Sequence, residues 1–174
     1  MSWMDRVGGL LKQYSGGASA SAQPAPDVNA HFDEVAKAAP PGTIGEGLAG
    51  VLHSGKAGSF ADVVAHLFSQ SDSYIKTELL NRLFGSSKPE FIKRILADAG
   101  LQEASALNQP KVAPQDTDKM PENAVREIAA HAQQQNPGIV EEVSHFYAQH
   151  PGIVKTLGGK ALSELLGKVA EKKA

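Results

Sequence analysis

Two glutamate–histidine pairs stand at the same spacing in the sequence, Glu127-x-x-x-His131 and Glu141-x-x-x-His145. Residues four apart lie on one face of a helix. Two such faces on neighbouring helices would offer two carboxylates and two imidazoles, a donor set suited to a divalent metal. The plainer reading is a solvated contact within each helix, worth a few tenths of a kcal/mol. Metal sites in helical bundles use Glu-x-x-His, one residue shorter. No further carboxylate is spaced to complete a set, and His31, His53, His66 and His150 show no ligand spacing. The sequence therefore assigns no cofactor and no metal. Glu127, His131, Glu141 and His145 are the residues a metal- or small-molecule-binding alternative would use.

The pairs belong to a longer repeat. Residues 127–140, EIAAHAQQQNPGIV, align with 141–154, EEVSHFYAQHPGIV, through the shared pattern E-x-x-x-H-x-x-x-Q-x-P-G-I-V. Pro-Gly-Ile-Val reads as a helix start. Asn136 and His150 take the N-cap position, where Asn is strong and His poorer. Pro137 and Pro151 take the first helical position, where a missing N–H is harmless.

Two glycine-rich stretches resemble nucleotide loops. GEGLAG, Gly45 to Gly50, matches G-x-G-x-x-G, but APPGTI before it is no strand and only a few residues separate it from Ser54-Gly55. A dinucleotide loop needs a strand before and a long helix after. GVLHSGKA, Gly50 to Ala57, matches G-x-x-x-x-G-K. It has Ala57 where magnesium binding requires Ser or Thr, and no strand precedes it. Both read as turns between short helices. No G-x-S-x-G elbow supports a serine hydrolase.

The elements that would position these residues are helical throughout. Apolar residues recur with helical period. Val28, Phe32, Val35 and Ala36 follow a capping Asp27. Ile44, Leu48, Val51 and Leu52 mark a glycine-rich helix. Ser59, with Asp62 three residues on, resembles a capping box before Phe60, Val63, Val64, Leu67 and Phe68. A helix from about Asp72 carries Ile75, Leu79, Leu80, Leu83 and Phe84, with Gly85 as the expected left-handed terminator. Pro89 opens a helix that Gly100 closes. Pro121 starts one bearing Val125, Ile128, Ala129 and Ala132, and a later helix should kink at Gly158-Gly159. The expected organisation is an all-α bundle of short helices. It comprises an amphipathic helix at 1–14, a flexible linker at 15–26, a helical group at 27–100, a connector at 101–118 and a second group at 119–174.

Composition narrows the function classes. The chain has 174 residues, 41% hydrophobic, with a formal charge of −2 and no cysteine. That charge gives no strong attraction to nucleic acid, and without cysteine there is no disulfide framework or thiolate nucleophile. No apolar run reaches the length of a signal peptide core or of a membrane span. A soluble, cytoplasmic protein is expected.

The opening segment stands apart. Trp3, Met4, Val7, Leu10, Leu11 and Tyr14 fall on one helix face. The stretch that follows, SGGASASAQPAP, has the composition of a flexible tether. The apolar face needs a cover. It can fold back on its own bundle, dock on another copy or another protein, or lie on a membrane surface. The last is the poorest chemical match, because interfacial helices are usually richer in Lys and Arg than one carrying Arg6 and Lys12 against Asp5.

The opening SWMDRVGGLLKQY with its Gly/Ser/Ala linker resembles the start of the YidB-like family of bacterial proteins, and LLNRLFG is compatible with that likeness. The resemblance implies an all-helical fold and brings no activity or catalytic residue. The expected role is non-enzymatic: self-association or protein-partner binding through helix faces, with Trp3, Met4, Val7, Leu10, Leu11 and Tyr14 as contact residues. The alternatives are the metal or small-molecule binder and a peripheral membrane protein.

Overall fold

The computed structural model describes residues 3–12, 28–55, 58–101 and 112–173. Among them there is no strand, and the fold class is all-α. The expected linker at 15–26, the cap Asp27 and most of the connector at 101–118 lie outside the described residues.

The chain divides into two compact units. One is Met1–Gly58 with Ser144–Ala174, and the other is Ser59–Val143. The division differs from the expected grouping of 27–100 and 119–174. The reason is pairing at long range: the last helix of the chain packs with the third, so both ends of the sequence build one unit.

The first unit holds α1 (Trp3–Lys12), α2 (Val28–Ala38), α3 (Pro41–Ser54), a four-residue α9 (Pro151–Val154) and α10 (Gly159–Lys173), with part of α8 (Ile139–Ala148). Its most extensive pairing is α3 with α10. Proline at the start of α3 costs no hydrogen bond, and Gly55 at φ 72° ends it in the left-handed conformation. Three internal glycines weaken such a helix by about 1 kcal/mol each. They are explained by close approach. A Cβ on Gly47 would lie 2.8 Å from Val169 and 3.3 Å from the Leu165 carbonyl, and one on Gly50 would lie 3.2 Å from the Lys168 stem. A Cβ on Gly45 would overlap the His145 imidazole. The G-x-G-x-x-G pattern is thus a helix-packing face. Ser54 Oγ donates to Glu164 Oε1 at 2.5 Å, and Lys155 Nζ pairs with Asp33 Oδ2 at 2.9 Å. Gly158, at φ 96°, ends the helical run outright before α10, where a kink was expected.

The second unit holds α4 (Phe60–Ser69), α5 (Ser73–Gly85), α6 (Pro89–Asp98), α7 (Glu122–Gln135) and the first half of α8. Its most extensive pairing is α4 with α7. Ser59 Oγ accepts from Asp62 N–H at 3.1 Å, and Asp72 Oδ1 accepts from Ile75 N–H at 3.0 Å, so both starts are capped by side chains. Gly85 is the last helical residue of α5 and not its left-handed terminator. The Ser86 and Ser87 N–H groups bond the Leu83 and Phe84 carbonyls instead. Gly100, at φ 84°, does close α6. The connector's end is folded: Pro114–Lys119 is a 3-10 helix packed on α5, with Thr117 fully buried.

The two Pro-Gly-Ile-Val phrases are both helix starts. They differ in detail. Asn136 Oδ1 accepts from Gly138 N–H at 3.2 Å, so Pro137-Gly138 form a turn and α8 begins at Ile139, two residues later than expected. At the second copy His150 is the N-cap without a side-chain bond, and Pro151 is the first helical residue.

Candidate functional site

The Glu-x-x-x-His pairs are on helices as expected, but each imidazole has its own structural partner. In the second unit His131 of α7 stacks on Phe91 of α6, ring centroids 4.1 Å apart and planes 11° from parallel. Its Nε2 accepts from the Lys88 backbone N–H at 3.3 Å. Lys88 is the N-cap of α6 and has no side-chain cap of its own. His131 therefore serves the start of α6 from a neighbouring helix. His145 belongs to the first unit, where its ring lies over the bare backbone of Gly45.

The carboxylates are exposed. Glu127 edges a cleft of about 190 Å³ with Asp98, Asn123, Ile95 and Pro121. Glu141 sits in the first turn of α8. Among the described residues no three His, Asp or Glu side chains converge as metal ligands. The cleft is smaller than the ~300–1,000 Å³ usual for a ligand pocket.

The N-terminal contact residues are placed within the first unit. α1 packs on α2 and α10. Val7 and Leu11 are each 2% exposed, while Trp3 and Leu10 are half-buried. The side chain of Met4 and all of Tyr14 lie outside the described residues. Val7 and Leu11 therefore have their cover at home in this conformation, the first of the three expected destinations. The seam is not sealed along its length. A cleft of about 270 Å³ runs beside it, lined by Arg6 and Val7 of α1 and Glu34, Lys37 and Ala38 of α2.

Two contacts escaped the sequence. The His131–Phe91–Lys88 cluster leaves no local signal, because it joins helices 40 residues apart through a ring face. The Gly45–His145 contact had one trace, the glycine pattern itself, which needs the partner helix to be interpreted. Compared with family models, with curated proteins and with solved structures, the chain shows no match.

Proposed function

We propose that the protein is non-enzymatic and works by association through helix faces, with α1 as the detachable face. One observation carries the reading. α1 is an apolar-faced helix docked through Val7 and Leu11, and residues 13–27, rich in Gly, Ser, Ala and Pro, join it to α2. Elsewhere among the described residues Tyr74, 77% exposed, is the large hydrophobic side chain left open. Among the described residues, then, apolar helix faces are mostly covered at rest, and α1 is the cover proposed to leave while α2, α3 and α10 stay packed together.

The strength of the docking suits such a role. Burying one Val and one Leu contributes roughly 1.5–3 kcal/mol each. Gly8 and Gly9 subtract about 1 kcal/mol each. A ten-residue helix is too short to persist alone in water, so α1 folds as it docks. The balance is a few kcal/mol at most. The YidB-like resemblance of the opening segment agrees with an all-helical, non-catalytic protein, and we propose membership of that family and a cytoplasmic location. No helix among the described residues is long and apolar enough to cross a membrane.

Light scattering over a concentration series tests the reading. A tether of this kind holds α1 at an effective concentration of about millimolar. The full chain should rise from one-chain toward two-chain mass as its own concentration approaches that range. A Val7→Asp/Leu11→Asp chain of matched helical content should lose that rise. A single-chain mass throughout for the full chain would remove self-association as its function.

A further inference from the structure

We infer that the surface of the first unit formed by α2 and α10 receives the α1 helix of a second copy of the chain, and that each copy's own α1 is its intramolecular competitor. This rests on the association reading above and names its partner and its restraint. The face α1 offers is small and specific: Val7 and Leu11, four residues apart on one side, both buried on docking. The α1 of another copy carries the same two side chains and can make the same contacts.

The receiving surface spans sequence-distant helices, since α2 follows the tether and α10 lies at the other end of the chain. It persists when α1 leaves, because α2 also packs directly on α10, and α10 on α3. The cleft between Arg6, Val7 and Glu34, Lys37, Ala38 leaves one edge of the α1–α2 seam open to water, where an incoming helix can begin to exchange. The exposed side chains of Arg6, Glu34 and Lys37 line that edge. The own α1 has the advantage of the tether. Exchange between copies is held off until the local concentration of chains approaches the tether's effective value, about millimolar. Crowding of chains on a common support would then switch association on with no change in the contacts made.

The chain has one tryptophan, Trp3, on α1 itself and half-buried there. Its emission reports whether α1 is docked. A peptide of residues 1–15 with Trp3→Phe, titrated into the full wild-type chain, should shift the Trp3 emission to the red as it displaces α1, with a midpoint of about millimolar. The same peptide with Val7→Asp and Leu11→Asp should have no effect. A fluorescent 1–15 peptide should bind the full-length Val7→Asp/Leu11→Asp chain at least about tenfold tighter than the wild type, because the competitor is gone. Unchanged Trp3 emission, or equal action of the Asp-bearing peptide, would overturn the inference. The wild-type titration decides alone if the double variant does not fold. A mass that climbs with concentration while the peptide does nothing would leave association standing on another surface and sink this one.

Discussion

At Gly47 the packing of α3 against α10 leaves no room for a methyl group, and the atoms it would meet include the Leu165 backbone carbonyl. At Gly50 the neighbour is the stem of Lys168, which can swing aside. The two positions should therefore respond oppositely to alanine. Gly47→Ala is expected to lose about 1–2 kcal/mol after the helix-propensity gain is counted, lowering Tm by about 2–8 °C. Gly50→Ala should be neutral or gain up to about 1 kcal/mol, and thermal unfolding of both variants checks the contrast. His131→Ala should cost about 1–2 kcal/mol in urea unfolding, since it removes a ring stack and the acceptor for the Lys88 N–H. His131→Phe should recover the stacking part. In elemental analysis Glu141→Ala with His145→Ala should leave bound metal unchanged from the parent chain. The glycine spacing was plain in the sequence, yet its meaning depends on Val169 and Leu165, more than a hundred residues away. His131 was legible as a helix-face residue and illegible as a cap, because nothing in the local spacing points to Phe91.

The helices themselves were readable wherever their own side chains specify them. The apolar face of α4, Phe60, Val63, Val64, Leu67 and Phe68, is buried residue for residue, and its cap is the Ser59 hydroxyl. Ends were harder to read where the terminating bonds come from unremarkable residues. Ser86 and Ser87 close α5 past a glycine that needed no special conformation, and an Asn136 turn delays α8 past its proline. For α1 the period of 3.6 marks one stripe proposed for partners but does not tell the buried Val7 and Leu11 from the half-buried Trp3 and Leu10 within it. At Gly8 and Gly9 on the same helix a methyl group would meet nothing within 4 Å. Replacing both with alanine should stabilise docked α1 by about 1 kcal/mol each. In urea the midpoint of the Trp3 emission change should then move to higher concentration, while the far-ultraviolet midpoint stays where it was. Movement of both midpoints together would mean that α1 unfolds only with the rest of its unit.

For the whole chain the sequence suggested a cut near 101–118, where periodicity fades. The compact units instead divide the sequence so that Ser59–Val143 is one unit and the segments before and after it form the other. Hydrophobic period tells which face of a helix is buried and is silent on its partner. Contacts such as Ser54 with Glu164, 110 residues apart, leave no local trace. The proposal that α1 is a separable part rests on this topology. The pairing of α3 with α10 and the contact of α2 with α10 are made without it. Native-state amide hydrogen exchange on the dilute full chain tests that separability most directly. The account predicts that the α1 amides exchange well ahead of those in α3 and α10, with α3 and α10 keeping their protection after α1 has exchanged. Exchange of α1 in step with α3 and α10 would contradict it, because the helix would then be part of the core and not a cover.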